Sequence, residues 1–455
     1  MNSNLNKSNG VITRFPPSPT GALHIGNVRT ALFNYFFARK NNGLFVVRVE
    51  DTDKVRSKKE YEENMLASLL WLGLSRDGEL WRQSERISIY TKYLQKLIAE
   101  EKAYISIETE GENKEVVRFK NPNKIITFTD LVRGDVTFDT SELGDFIIAR
   151  NINDPVYHLA VVIDDFETGV THIIRGEDHV SNTPRQILIQ EAIGAPRPIY
   201  AHLPLILAAD RSKLSKRKHG EAVSLDYYQK MGYLPQALVN YMALLGWNPG
   251  TEREIFSLDE LITEFDITRI QKGGAIFNVE KLKWINKEHI KMLPLEETEK
   301  AIIEAVESSN RFTSNSWKLP QTTKKDITKL VAERISVWSE AKELAEAGEF
   351  DWIVQKPENI KEIISWKEEK DTVVTKERLS KAREIISTIP EHNWNLENIK
   401  EPLWNYAEEV GKGNFLWPLR VALSGKEKSP DPFTLLWILG KEESVRRVEN
   451  ALSAL

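Results

Sequence analysis

The chain contains no cysteine among its 455 residues. That absence removes disulfides, thiolate nucleophiles and cysteine-based zinc sites together, and with them any argument for secretion. Histidine is scarce too: there are eight, with no pair at zinc-ligand spacing, so only scattered carboxylates and imidazoles are left for a metal. No apolar run approaches the roughly 18–20 residues needed to cross a bilayer. Residues 1–10 are rich in Asn and Ser and have no apolar core. They read as a short disordered lead-in, not as a secretory signal or an Arg-rich transit peptide. An overall excess of positive charge is also missing. The net charge of −5 argues mildly against a nucleic-acid partner, but the footprint of an RNA binder is local. One such patch exists, since Arg211, Lys213, Lys216, Arg217 and Lys218 fall within eight residues that include no acid. Internal repeats, low-complexity segments and the G-x-G-x-x-G fingerprint are absent.

What is present fits an ordinary globular chain, 41% hydrophobic and 28% charged, long enough for roughly two to four domains at about 100–200 residues each. Val11-Ile12-Thr13-Arg14-Phe15 reads as a buried strand that Pro16, Pro17 and Pro19 bring to an end. Helical periodicity follows over residues 24–40, with Ile25, Val28, Leu32, Tyr35 and Phe36 on one face. Asn41-Asn42-Gly43 is a stop signal, and residues 44–49 form a second apolar strand. This is a βαβ unit, the start of a parallel sheet. Helices are expected over 57–71 and 84–101. Short strand candidates at 115–120, 125–128 and 146–149 suggest a small β-rich insertion. The apolar pattern resumes at 157–163 and 172–175, a helix follows over 184–193, and a strand-like run at 203–207 leads into the basic loop. After about Leu225 the strands stop and helical segments dominate, with tryptophans such as Trp338 and Trp437 read as core. The order is α/β first, all-α last.

Two segments carry chemistry. Pro17-Ser18-Pro19-Thr20-Gly21-Ala22-Leu23-His24-Ile25-Gly26-Asn27 is a strand-to-helix turn, where free amide groups and the positive end of a helix dipole attract phosphate. An imidazole at His24 can donate to phosphate oxygens, and Gly26 admits a flat base close to the backbone. Alone, it fits equally a helix that happens to contain a satisfied histidine. The second segment is Lys213-Leu214-Ser215-Lys216-Arg217. Its closely spaced lysines suit a triphosphate whose charge must be neutralised as one phosphorus becomes five-coordinate. Alone, it fits a solvated basic loop.

Together, a His-x-Gly turn after the first strand and a K-x-S-K loop after the last resemble the two-part signature of class I aminoacyl-tRNA synthetases. Arg14-Phe15-Pro16-Pro17-Ser18-Pro19-Thr20-Gly21, Arg48-Val49-Glu50-Asp51-Thr52-Asp53, Arg175-Gly176-Glu177-Asp178-His179, Leu245-Gly246-Trp247 and Pro418-Leu419-Arg420 narrow the resemblance to bacterial-type glutamyl-tRNA synthetases, over nearly the whole chain. The resemblance implies a Rossmann-like catalytic domain in two halves, 11–105 and 151–209, interrupted by a reduced acceptor-binding insertion at 106–150. It further implies a stem-contact domain with the basic loop at 210–293 and a helical anticodon-binding region at 294–455. The implied activity is ATP-dependent activation of L-glutamate to glutamyl-adenylate, then transfer to the terminal adenosine of tRNA(Glu), with tRNA(Gln) as a further candidate acceptor. Mg²⁺ is implied with ATP, zinc is not, and a cytoplasmic monomer without a membrane partner is expected.

The same resemblance assigns Arg14, Ser18, Glu50, Tyr157 and Arg175 to glutamate. It assigns His24, Gly26, Asp178, Ile206, Lys213 and Lys216 to ATP, with His24 and Lys216 nearest the reacting phosphates. Arg420 is a weak tRNA candidate. Arg48 and Asp53 read as surface ion-pair residues. The chain departs from the family at Asn27, where the class pattern has a second histidine, at Leu214 and Arg217 in the basic loop, and at Val161, where some members carry Asn. The segment between Tyr104 and Val116 is short and polar, whereas family members commonly carry a longer one, often with a cysteine-based zinc site. A glutaminyl enzyme, the closest rival, would pair the fold with β-barrel anticodon domains, and a tRNA-modifying paralogue would lack the C-terminal third. A small-molecule nucleotidyltransferase would need no helical RNA-reading arm. A non-catalytic tRNA-binding paralogue would have no reason to keep His24, Lys216, Arg14 and Glu50.

Overall fold

A computed structural model describes residues 10–108, 115–309, 311, 321–367 and 371–455, without the side chains of 216 and 321–324. The lead-in and the polar link at 109–114 lie outside the described residues. The chain packs as two compact units that meet in sequence at His289 and Ile290.

The first unit opens as the apolar pattern requires. The strand Ile12–Phe15 is buried throughout and runs parallel to Leu44–Val49, in the register Ile12 to Leu44 through Phe15 to Val47. Trp81–Arg82 adds a third parallel strand beside Arg48 and Val49. The helix between the first two strands, Ile25–Lys40, buries Ile25, Val28, Leu32, Phe33, Tyr35, Phe36 and Ala38. Its apolar surface wraps well past a single stripe, the signature of a helix enclosed on several sides. The chain returns through Gly43, where any Cβ would collide with the Val11 carbonyl, so only glycine lets the second strand start so close to the first.

A second set of parallel strands, packed beside the first, comes from far along the chain. His172–Gly176 runs parallel to Ile199–Leu203. It lies beside the first strand, where the Thr171 amide donates to the Ile12 carbonyl at 3.0 Å. The Asn34 side chain spans from the helix to the Ile174 carbonyl at 2.9 Å.

The apolar run at 157–163 is a helix, Tyr157–Glu167; a run this short carries no period that separates helix from strand. Two readings of the sequence change here. The expected strand at 203–207 divides at Pro204 into Ile199–Leu203 and Ile206–Leu207, since proline has no N–H to give a ladder. Ile206–Leu207 pairs with a short strand at Ala275–Ile276, beyond the point where strands were expected to stop. The β-rich stretch divides between two sheets. The strands Ala103–Ile107, Glu115–Phe119, Phe146–Asn151 and Asp154–Pro155 form their own antiparallel sheet. The hairpin Ile125–Asp130 with Gly134–Asp139, by contrast, joins the catalytic sheet through Asp130 beside Tyr200.

The second unit, Ile290–Leu455, is helical in its described residues. The helices Leu295–Glu307, Trp338–Glu346, Thr372–Thr388, Leu396–Val410, Lys412–Ser424, Pro432–Leu439 and Lys441–Ala454 bury one continuous core. Ile302, Trp352, Leu379, Leu403, Leu419, Leu436 and Val448 belong to it, and Trp338 and Trp437 pack against it, as their helical spacing suggested. Arg447 is buried at its centre, donating at 2.6 Å to the carbonyls of Trp352 and Leu423 and pairing with Glu443 at 2.7 Å. Carbonyl and carboxylate partners on three segments satisfy a charge that would otherwise be costly to bury.

A core formed wholly within this unit should persist without the rest of the chain. The isolated fragment 290–455 is therefore expected to unfold in one cooperative transition, followed by far-UV circular dichroism in urea; a broad, non-cooperative loss of helix would contradict it.

Candidate active site

The turn after the first strand ends on His24, which caps the helix Ile25–Lys40 in extended backbone conformation and accepts from the Gly26 amide through Nδ1 at 3.0 Å. An accepting Nδ1 leaves the proton on Nε2. Burial, reinforced by the positive charge of Lys213, lowers the His24 pKa to about 4, against a smaller opposing contribution from the Leu214 carbonyl. His24 is thus a neutral donor at physiological pH. Gly26 keeps this cap open, because a Cβ there would sit 3.3 Å from the His24 ring nitrogen.

The basic loop closes on the same turn. Leu214 donates to the Ile206 carbonyl at 3.0 Å, and Leu225 donates to the Leu23 carbonyl at 2.9 Å. Lys213 pairs with Asp178 at 3.1 Å; burial would raise the Asp178 carboxyl, but Lys213, His179 and a backbone hydrogen bond together hold it below its usual range. Lys216 opens a short helix, Lys216–His219; its side chain is outside the described residues. His24, Gly26, Asp178, Ile206 and Lys213 all line one cavity of about 460 Å³, and Arg175 lines it too.

Behind that cavity lies a set of buried charges. Arg14 and Arg48 both reach Asp165, at 3.4 and 2.6 Å, and Arg48 also meets Glu50 at 3.1 Å and Asp164 at 3.6 Å. Asp164 is fully buried and accepts from Arg86 at 2.7 Å, Gln83 at 2.9 Å and Tyr90 at 2.8 Å. Three arginines are balanced by three carboxylates. Burial alone would lower the Arg48 pKa, but Asp165, Asp164 and Glu50 together raise it above the ordinary arginine value. Glu50 moves above the usual carboxylate range because burial outweighs Arg48.

Arg48 is therefore not the surface residue that the sequence suggested. It is 1% exposed, because its strand is covered by the helix that carries Asp164 and Asp165. Asp53 does form an exposed ion pair, with Arg56 at 2.6 Å.

Arg175 differs from the other buried arginines. Its Nε donates to His202 at 3.1 Å, and its other nitrogens to Gln186 at 2.8 Å, Thr183 at 2.9 Å and the His179 carbonyl at 3.4 Å. No carboxylate among the described residues pairs with it, and burial lowers its pKa. Tyr157 stands between the two sets. Its hydroxyl lies 3.2 Å from His179 Nδ1, and burial raises its pKa with help from Glu50, opposed by Arg175 and Arg14. Ser18 remains exposed in the turn. Arg420 sits half-buried in the helix Lys412–Ser424 of the second unit, its Nε without an acceptor among the described residues.

Sequence reasoning missed several residues that the site depends on. Asp164 and Asp165 were signalled by two acids closing an apolar run. Arg29 is a cation in an apolar helix; it lines the cavity and donates to the carbonyls of Leu245, at 3.2 Å, and Pro204. Burial lowers its pKa to about 10. Nothing marked His202, a polar residue in a buried strand.

Comparison with known proteins accounts for both units. Residues 10–115 and 107–284 match the family described as tRNA synthetases class I (E and Q), catalytic domain, and residues 288–452 match the family described as anticodon binding domain. The glutamate–tRNA ligase of Carboxydothermus hydrogenoformans is 41% identical across 97% of this chain and 99% of its own. That of Aquifex aeolicus is 40% identical across 98% and 99%. The crystal structure of a glutamate tRNA ligase from Elizabethkingia meningosepticum, in complex with its amino acid, superposes with a TM-score of 0.84 at 31% identity, covering 98% of this chain and 100% of that one.

The depressed pKa of His24 has a stability consequence whose sign is fixed. Free histidine titrates near 6.5, so below about pH 6.5 the unfolded chain takes up a proton that the folded chain refuses. Stability from this group is present above that pH and lost as the pH falls toward about 4. His24→Asn keeps a side chain able to cap the helix but removes the titration. Its thermal midpoint should fall less steeply than the parent's between about pH 6.5 and 4.5, and parallel profiles would show that His24 titrates normally.

Proposed function

We propose that this chain, which belongs to the glutamate–tRNA ligase family of class I aminoacyl-tRNA synthetases, binds ATP across the His24 turn and the basic loop and glutamate against Arg175. The observation that carries this reading is Arg175: a buried guanidinium on the cavity wall with only neutral partners, in a site where every neighbouring arginine of the network already has its carboxylate. A bound carboxylate completes that charge balance. In this reading the substrate's side-chain carboxylate meets Arg175, with Arg14 and Tyr157 beside it, and its ammonium group meets Glu50. Ser18 closes the outer edge.

The α-carboxylate oxygen then attacks the α-phosphorus of ATP, the bond from that phosphorus to the α,β-bridging oxygen breaks, and pyrophosphate leaves. Neutral His24 donates to the phosphates, while Lys213 and Lys216 supply mobile positive charge as the phosphorus becomes five-coordinate. Gly26 and Ile206 border the base, and Asp178 the ribose side of the nucleotide. The 2′-hydroxyl of the terminal tRNA adenosine next attacks the adenylate carbonyl and releases AMP. The second unit supplies the RNA contacts, which spend remote binding energy on orienting that adenosine.

Mg²⁺ is assigned to the triphosphate itself, since no three metal-ligating side chains converge among the described residues. The absence of any cysteine supports a reaction that needs no zinc. We place the reaction in the cytoplasm, where tRNA and ATP are available, and assign the activity to the monomer. tRNA(Glu) is the expected acceptor, and charging of purified tRNA(Glu) and tRNA(Gln) side by side tests how far acceptance extends.

Two substitutions test the assignments. Glutamine would leave Arg175 facing a neutral amide, at a cost of about 2–5 kcal/mol for an unpaired buried charge. Arg175→Ala should accordingly lower kcat/KM for glutamate by at least about 100-fold with the KM for ATP little changed; undiminished use of glutamate would rule this pocket out. Lys216→Ala should slow glutamate-dependent pyrophosphate exchange by about 10²–10³-fold without loss of fold. A normal exchange rate in the folded variant would remove Lys216 from the reaction.

A further inference from the structure

The hairpin strand Ile125–Asp130 ends, at the sheet, on a carboxylate with an unusual set of partners. Asp130 is 2% exposed and His202 is fully buried. One Asp130 oxygen accepts from the amides of Val132 and Arg133, both at 2.9 Å. The other accepts from the His202 amide at 3.0 Å and stands 2.6 Å from His202 Nδ1. The far side of the same ring, Nε2, faces Arg175 Nε at 3.1 Å, with the Thr183 hydroxyl at 3.3 Å.

The direction of each bond follows from the groups themselves. A guanidinium N–H can only donate, so His202 Nε2 must accept and its proton must sit on Nδ1, pointing at Asp130. An imidazolium here would set N–H against N–H and place a second cation beside Arg175. Burial lowers the His202 pKa against the pull of Asp130, consistent with a neutral ring. Hydrogen bonds from His202 and from two backbone amides outweigh burial to hold Asp130 ionised, its pKa below the usual range. The three groups form a directed relay from the hairpin into the cavity wall.

We propose that Asp130 is a positioning residue for substrate selection: it fixes His202 as the Nδ1–H tautomer, and the free Nε2 holds Arg175 in the orientation that receives the substrate's side-chain carboxylate. This rests on the assignment of Arg175 to that carboxylate. Asp130 touches no substrate. It acts through the imidazole, as an outer carboxylate orients a ligating or catalytic histidine. The arrangement also makes the hairpin part of the amino-acid site, although the hairpin lies within the stretch that interrupts the two halves of the catalytic sheet.

Asp130→Asn keeps the shape and turns the acceptor that faces His202 Nδ1 into a donor, while the His202 amide keeps its second acceptor, Oδ1, at 3.2 Å. An amide NH₂ facing Nδ1 drives the ring toward the Nε2–H tautomer, which then opposes Arg175. The expected result is a rise in the KM for glutamate of at least about tenfold, with the KM for ATP changed by less than about twofold. His202→Gln supplies a side-chain carbonyl that can accept from Arg175 without help from Asp130. In that background, adding Asp130→Asn should raise the glutamate KM by less than about twofold further, the non-additivity of groups that act as one unit. A merely structural carboxylate would instead raise both KM values together and add its effect in full to His202→Gln, and either outcome would overturn the proposal. Long-range ¹⁵N–¹H spectra of the unmodified enzyme near pH 7 provide a test that needs no variant. The Nδ1–H pattern for His202 is expected, and an Nε2–H or imidazolium pattern would overturn the relay directly. Failure of the substrate assignment is read separately, as undiminished glutamate use by Arg175→Ala alongside an Nδ1–H His202.

Discussion

Asp164 and Asp165, adjacent at the end of the helix Tyr157–Glu167, set the terms on which this active site can exist. Their two carboxylates, with Glu50, neutralise Arg14, Arg48 and Arg86 inside the sheet-covered interior. Removing one member of such a buried group typically costs about 3–5 kcal/mol, because a charge is left behind without a partner. The network ties four segments together: the first strand, the second strand, the helix Ile87–Ala99 with its preceding turn, and the helix Tyr157–Glu167. It therefore fixes the relation between the two halves of the catalytic sheet, which chain connectivity alone leaves separated by the long β-rich stretch. The turn that ends on His24 follows a strand held by this cluster, and Arg14 of that strand also reaches, at 3.5 Å, the Ile174 carbonyl of the strand that carries Arg175.

Charge balance within the cluster also separates Arg48 from Arg175, the proposed glutamate partner. Arg48 is the more deeply neutralised cation, with three carboxylates around it, and has no charge left to offer a ligand. Arg175 is equally buried, yet its partners are an imidazole, an amide, a hydroxyl and a carbonyl. Neutral acceptors satisfy its N–H groups without cancelling its charge, so its hydrogen bonds and its electrostatics are decoupled. That makes it attractive to an anion while keeping the empty site tolerable.

Chemistry that lies contiguously along the chain was legible in advance. The His24 turn and the Lys213–Lys216 loop each declare themselves in a few consecutive residues, and the structure brings them to one cavity through the pairing of Leu225 with Leu23. The passage from α/β to helical architecture was legible as well, because the change from strand runs to helical spacing is sustained over a long stretch. The charge network was not, because its members at 14, 48, 50, 86, 164 and 165 become neighbours only once the sheet has formed. Arg48 shows why: alternation places it on a buried face, but without its partners a charged residue after an apolar run reads as surface. The run at 157–163 is left unassigned by its sequence for the opposite reason. It is apolar at every turn of either period, so its true state was decided by packing against both sheet and helices.

His24, on the cavity wall, and His202, behind Arg175, show how little is needed to give one side chain opposite jobs. His24 receives the Gly26 amide on Nδ1 and so presents Nε2–H as a donor. His202 is drawn by Asp130 at Nδ1 and so presents Nε2 as an acceptor, to Arg175. Both rings are neutral, both are substantially buried, and a single neighbour at one nitrogen sets the function of the other. Protonation would erase the distinction, since both rings would then donate from both nitrogens. Burial lowers both pKa values, and in this site that depression does more than reflect the cost of burying charge. It keeps each histidine in the one state in which its neighbour can give it a direction, so the same apolar surroundings that tax a buried charge preserve a donor at His24 and an acceptor for Arg175 at His202.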